Sequence, residues 1–448
     1  MNDDRCTLRL GSLGCSFDCR LLLALIILVY VLIAVLYAVF TPAWQVPDEP
    51  AHYNYIGSLA RGEGFPVLEQ GDYDQAYLDE LTSEGFPSDL PILPLEYEDH
   101  QPPLYYVLAA PIYLAFGGAL LPLRLVSVSL GACLLIVAYG TVRSVLPSRP
   151  WVALAATGFI AFIPQHVAMT AGVNNDVLSE LIVAGTLLAS IAYLGHSRIQ
   201  PWCIGALVGI ALLTKTTAYV VVGVAAGAVA IRWRRDRASV QWAVEQLAQI
   251  FVPALLISAP WLIRNATTYG WTDPLGLGQH QFVVENQPQS SEWLARYGLA
   301  GLLSRLVRTT FQSFWGQFGW MALPLPTWVY RLLLMLSILL SAGFAVWLVR
   351  GNSRRSDGES VWLPLTLLAL SALLTVLAFL WYNLSFVQHQ GRYLFPALVP
   401  LSTAAALGFT TLTGSLPRNV RPWALLLFLS TLAVLDVYCL WRVIYPNL

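Results

Sequence analysis

Charge is scarce in this chain: Asp, Glu, Lys and Arg make up 11% of its residues, against the ~25% usual in soluble domains. Lysine is scarcer still, with Lys215 the single example. The net charge of -1 says nothing about nucleic acid, and no basic stripe suggests such a partner. Six cysteines form no CxxC pair, which argues against a zinc site or a disulfide framework. Cys6, Cys15 and Cys19 fall in the N-terminal tail and read as free thiols, with palmitoylation the alternative, while Cys133, Cys203 and Cys439 sit in apolar helices. No internal repeat appears, although duplicated halves with broken helices mark many secondary transporters.

What the chain has is apolar length. It is 57% hydrophobic, and runs such as Leu21–Phe40 and Leu332–Val349 approach the ~20 residues that cross a bilayer. The expected fold is an all-α polytopic membrane protein. About eleven spans are predicted, at 21–40, 122–145, 151–169, 177–195, 201–214, 216–232, 247–264, 327–349, 361–382, 393–412 and 422–443. Arg20, Arg143, Arg149, Arg198, the Arg232–Arg237 cluster, Arg350 with Arg354 and Arg355, then Arg418 and Arg421 orient them by the positive-inside rule. Residues 1–20 become a cytoplasmic tail and 21–448 one transmembrane domain in the cell membrane. Two long outer loops follow, at about 41–121 and 265–326, and 103–117 reads as an interfacial helix in the first.

The first loop holds thirteen of the twenty-six acids, and before Arg124 its single basic residue is Arg61. It opens with Pro47-Asp48-Glu49-Pro50-Ala51-His52 at the membrane rim, where an acidic pair is costly and marks a candidate site. Asp48 also fits the N-cap of a helix over 49–61, with His52 on the same face. Further along stand Glu98-Asp99-His100-Gln101-Pro102-Pro103-Leu104-Tyr105-Tyr106. Asn174-Asn175-Asp176 opens the fourth span on the same side, and Glu180 one turn deeper is an intramembrane acid that needs a partner. Lys215, Arg264 and Arg392 lie at the ends of spans where basic residues are disfavoured, so each calls for an anion. Phe314–Trp320 reads as an aromatic belt or a platform for a lipid chain or sugar.

Five of these segments, in this order, resemble the GT-C superfamily of polytopic glycosyltransferases that use lipid-phosphate-linked sugars, in its protein O-mannosyltransferase and aminoarabinose-transferase-like branch. They are Asp48-Glu49, His100–Tyr106, Asn174–Asp176, Lys215-Thr216 and Gly391-Arg392-Tyr393-Leu394-Phe395-Pro396. The resemblance implies Asp48 as catalytic base, with Glu49 adjacent and Asp176 as a second acid. It implies contacts to a polyprenyl-phosphate sugar donor from Arg392 and Lys215. His52, His100, Tyr105, Arg264 and Tyr393 complete the expected substrate-binding set. The acceptor would be a lipid, glycan or protein hydroxyl at the outer face. His100 stands where the aminoarabinose-transferase-like members often carry lysine, and no Asp-X-Asp accompanies Asp176. No cofactor is required; a divalent cation is compatible with the acids, but nothing indicates one. The competing reading is an ion-coupled secondary transporter using the same outer carboxylates.

Overall fold

The computed structural model describes residues 5–10, 13–195, 199–284, 286–350 and 360–448, with side chains from Asp18 onward. Arg198, Arg354 and Arg355, and the side chains of Cys6 and Cys15, lie outside the described residues. Among those described, nine helices are long and apolar enough to span a bilayer. They are Cys19–Phe40, Leu120–Val145, Asp176–Leu194, Thr216–Asp236, Val240–Tyr269, Thr327–Val349, Trp362–Ser385, Gly391–Ser415 and Arg421–Ile444. Pro150–Ala161 and Pro164–Thr170 add a tenth if their 66° bend is counted within one span.

The expected count of eleven is corrected at 201–214, which forms only the twelve-residue helix Pro201–Leu212. That is short of the ~17 residues a crossing needs. Proline opens this helix, and the turn at Leu213–Lys215 closes it. The N-terminal tail folds back as an antiparallel hairpin, Arg5–Leu10 against Leu13–Asp18, leading into the first span. Cys19, at the junction, is disulfide-bonded rather than free; Cys133, Cys203 and Cys439 are free thiols.

Helices approach closely where glycine permits it. A Cβ on Gly408 would collide with the backbone of Leu340, and one on Gly343 with the backbone of Gly408. The Thr327–Val349 and Leu398–Leu412 helices therefore meet backbone to backbone, the small-residue contact typical of lipid-embedded helices. The 66° bend has its own cause and its own brace. Pro164 cannot donate to the preceding turn, and His166 spans the break, with Nδ1 3.1 Å from the Ile160 carbonyl and Nε2 3.0 Å from Glu180 Oε2. Glu180 thus has the partner its depth required.

The two long loops gather at one end of the bundle. The first carries the helices Glu49–Ala60, Gln75–Ser83 and Leu104–Ala115. The stretch read as the second loop is largely helical: Leu277–Val283, then the 26-residue Ser290–Trp315, kinked at Gly298 where φ is 67°. Leu68, Leu81 and Leu95 of the first loop share a small apolar core with Val283 and Val284 of the second, closed by Phe386. Trp315 and Phe318 are buried, so they build core rather than an exposed belt. This shared cap fixes the loops over the ends of the spans.

Candidate active site

Asp48 sits at the N-cap position of the Glu49–Ala60 helix, but its side chain does not cap it. Its backbone is left-handed, with φ 67°. That conformation is strained for a non-glycine residue and is found disproportionately at functional sites. The carboxylate instead accepts from the Tyr97 hydroxyl at 3.0 Å and from Arg392 Nη2 at 2.5 Å. Capping is therefore excluded as the role of this side chain.

Arg392 reaches a second acid. Its Nη1 lies 4.0 Å from Asp176 Oδ2, and Asp176 Oδ1 is 2.7 Å from Lys215 Nζ. The result is an alternating row: Asp48, Arg392, Asp176, Lys215. Opposite charges in a low-dielectric setting attract strongly, and the alternation leaves the row neutral. The two carboxylates are its open points, with side chains 20% and 18% exposed, against 6% for Arg392 and 9% for Lys215. A ligand therefore meets the acids first and the cations beneath them.

Each member is held by its own element. Arg392 lies in the 3₁₀ turn Gly391–Ala397. This turn presses against the Ser290–Trp315 helix, because a Cβ on Gly391 would strike the Phe314 backbone. The Gly391 N–H donates to Ser313 Oγ at 2.7 Å, and Arg392 Nε donates to Gln390 Oε1 at 2.7 Å. Lys215 follows the short Pro201–Leu212 helix, whose end is tied down by a bond from Leu104 N to the Leu213 carbonyl, 2.9 Å. Asp176 begins its span in an Asx turn, its N–H donating to Asn174 Oδ1 at 3.0 Å.

His52 is buried beside this row, its Nδ1 2.9 Å from the Tyr106 hydroxyl, which also accepts from Asn175 Nδ2 at 3.3 Å. Burial and the Lys215 charge push the imidazole down to about 3, so it is neutral at physiological pH. Burial by itself would raise the Asp48 carboxyl. Arg392, by charge and by hydrogen bond, together with Lys215 outweighs burial and holds it below the usual carboxylate range. Glu98 goes the other way: burial, then the Asp48 charge, lift it to about 8. Its Oε2 is buried without a hydrogen-bond partner, as is Asn175 Oδ1. Each such atom is a buried polar group left unpaired, and these two lie beside the row of charges.

Not every expected residue joins this cluster. Glu49 is fully buried and points its carboxylate at Arg124, which grips it twice, Nε to Oε1 at 2.8 Å and Nη2 to Oε2 at 2.6 Å. The same oxygens accept from the Val173 and Trp44 N–H groups, and Arg124 also binds the carbonyls of Ala38, Thr41 and Pro42. Glu49 is thus a brace between the first span and the loops. Tyr105 turns away to Ser127 Oγ at 2.9 Å, while its neighbour Tyr106 serves the site. His100 lies against His280, ring centroids 4.4 Å apart, with its pKa well below the usual value through burial and that neighbour. Arg264 binds the carbonyls of Phe65 and Pro66, so it fastens the first loop. Tyr393 stands beside the Arg392 guanidinium, 5.2 Å from the charge to the ring centroid.

Tyr97, Glu98 and Asn175 join the site without having been singled out by type. Glu98 and Asn175 lay inside noted motifs; Tyr97 carried no signal beyond its place before an acidic pair. Among the described residues, no three His, Cys, Asp or Glu side chains are grouped as metal ligands.

Solved structures share this architecture. The Archaeoglobus fulgidus oligosaccharyltransferase, in a complex with Zn and sulfate, aligns with a TM-score of 0.50 at 15% identity over 93% of this chain and 52% of its own. The chain thus spans about half the length of that protein. ArnT from Cupriavidus metallidurans bound to undecaprenyl phosphate aligns with a TM-score of 0.50 at 14% identity, over 95% of this chain and 73% of its own. At such identities the likeness establishes the fold, and that fold is the GT-C arrangement of polytopic membrane helices. No curated protein matches the sequence. Residues 95–401, well over half of the chain, match the family described as predicted membrane protein (DUF2142), and the chain belongs to that family.

Proposed function

We propose that the protein is an inverting membrane glycosyltransferase that moves a sugar from a polyprenyl-phosphate donor to an acceptor hydroxyl at the outer face of the cell membrane. The observation that carries this reading is the row Asp48–Arg392–Asp176–Lys215, partly exposed carboxylates backed by buried cations. A donor phosphate needs cations to hold its charge as it leaves, and guanidinium suits phosphate oxygens bidentately. An acceptor hydroxyl needs a base. Both needs are met within one contact of Arg392.

In the proposed reaction the donor phosphate draws Arg392 and Lys215 toward itself. Asp48, released from its ion pair, regains basicity. The acceptor oxygen attacks the anomeric carbon while its proton passes to the Asp48 carboxylate. The bond from that carbon to the phosphate oxygen breaks, and its electron pair leaves with the polyprenyl phosphate. Asp176 holds Lys215 and Arg392 in place, and Glu49 fixes the helix that presents Asp48. The sugar, and whether the acceptor is a lipid, a glycan or a protein, are set by surfaces beyond this row.

The test is transfer from a panel of radiolabelled polyprenyl-phosphate monosaccharides by purified wild type and Asp48→Asn in detergent. Transfer or donor hydrolysis that the variant loses by roughly 10²–10⁴-fold, the usual worth of a general base, supports the reading. A well-folded wild type that consumes no donor but carries substrate across proteoliposomes would refute it in favour of transport.

A further inference from the structure

A sizeable cavity lies away from Asp48, and no member of the row of charges lines it. It encloses about 500 Å³ at the end of the bundle where the arginines gather, between the helices Pro150–Ala161, Thr327–Val349, Leu398–Leu412 and Arg421–Tyr438. Four arginines from three separate stretches of chain converge on it: Arg149, Arg350, and Arg418 with Arg421. Among the described residues no aspartate or glutamate lines it. Arg421 is engaged with the carbonyls of Leu416 and Gly414, but the side chains of Arg149, Arg350 and Arg418 have no hydrogen bond or ion pair among the described residues.

The positive-inside rule explains basic loops at this end, but not the convergence of four arginines on one cavity. A second observation concerns Trp347. It lines the same cavity, is 4% exposed, and its indole Nε1–H is buried without an acceptor. A buried donor without a partner costs about 1–3 kcal/mol unless a ligand or water accepts from it. The partly solvated guanidinium groups offer donors to an oxyanion, and the buried indole N–H calls for an acceptor.

We propose that this cavity binds the phosphate of an anionic lipid headgroup from the leaflet at that end of the bundle. Basic pockets between membrane helices are a recurring form of lipid recognition. The surroundings favour a lipid over a free anion. Leu412, Val420, Trp423 and Leu426, each next in sequence to a lining residue, are exposed apolar side chains, and Trp151 lines the cavity wall as an interfacial anchor would. The headgroup would thus meet arginine while its chains run along an apolar surface. This site is separate from the row at Asp48 and does not depend on the reaction proposed for it.

The test is native mass spectrometry of the full chain in detergent with equal phosphatidylglycerol and phosphatidylcholine, alongside melting with each lipid or with inorganic phosphate. Wild type should retain phosphatidylglycerol on the order of tenfold over phosphatidylcholine. Arg149→Gln/Arg418→Gln should lose that preference, and Trp347→Phe should weaken it. Arg234→Gln/Arg237→Gln removes the same charge at exposed positions elsewhere and should keep it. Melting without lipid confirms that each variant folds. Equal loss in both double variants, or no preference in wild type, would overturn the proposal. Stabilisation by inorganic phosphate but not by phosphatidylglycerol would overturn the lipid as its source.

Discussion

Arg392 Nη2 lies 2.5 Å from Asp48 Oδ2, although the two residues are 344 positions apart in sequence. The contact joins the end of the first span to the start of a late one. It also sets the basicity of the carboxylate, because the guanidinium is what offsets burial.

Removing that cation should move the acid limb of the pH–rate profile. In wild type Asp48 stays ionised to below the ordinary carboxylate range, so activity should persist as pH falls. In Arg392→Ala burial acts without its main counterweight, the pKa of Asp48 rises, and activity should fail at higher pH. Donor KM should rise in the same variant. A profile of unchanged shape with unchanged donor KM would remove Arg392 from the site.

Glu98 gives the opposite limb. Burial and Asp48 raise its pKa to about 8, so the folded protein keeps this proton at neutral pH. Above about 8 it ionises and sets a second negative charge near Asp48. Donor KM should therefore climb with pH through about 8, and Glu98→Gln should flatten the climb. The linkage to stability has the same sign. The unfolded carboxyl releases its proton near 4.5, so the contribution is intact below that value and is lost as pH rises toward about 8. Glu98→Gln should accordingly melt higher than wild type at alkaline pH, as scanning calorimetry across pH would read.

The Glu49–Arg124 pair tests bracing against catalysis. Arg124→Ala leaves a fully buried carboxylate without its partner, a loss of about 3–5 kcal/mol. Its melting temperature should drop sharply. Replacing both partners by apolar side chains of similar size should recover much of that stability. If Glu49→Gln melted like wild type yet abolished transfer, Glu49 would belong to the chemistry after all.

Arg264 should prove dispensable to turnover. It binds backbone carbonyls at Phe65 and Pro66, so Arg264→Ala should loosen the first loop and speed limited proteolysis near those residues. Its donor KM should match wild type. A tenfold rise in KM would place Arg264 at the donor instead.

Much of this was legible because charge in a lipid-embedded chain is costly, so the few charged residues stand out. Asp48, Asp176, Lys215 and Arg392 each lay at the end of an apolar run, and they meet. For Arg264 and Glu49 the same reasoning left the partner open, since a charge can be compensated by a carbonyl or a buried partner as well as by a ligand. Sequence periodicity cannot tell these apart. It also placed a loop over Ser290–Trp315, where Arg296, Arg305 and Arg308 interrupt the apolar run and hide a helix. Tyr97 and Asn175 matter through contacts that only the folded chain creates. The twelve-residue Pro201–Leu212 helix was half legible: the stretch 201–232 is short for two full crossings, but composition alone does not say which helix stops short.

The apolar core that joins the two long loops has a consequence for biogenesis. Leu68, Leu81 and Leu95 are made early, but their partners Val283, Val284 and Phe386 follow much later in the chain. At ribosomal speeds of about 5–20 residues per second, the first loop waits on the order of tens of seconds before its other half arrives. For that interval its leucines face water, or whatever chaperone occupies that side of the membrane. The site around Asp48 is therefore among the last parts of the protein to exist, completed only when nearly the whole chain has been inserted.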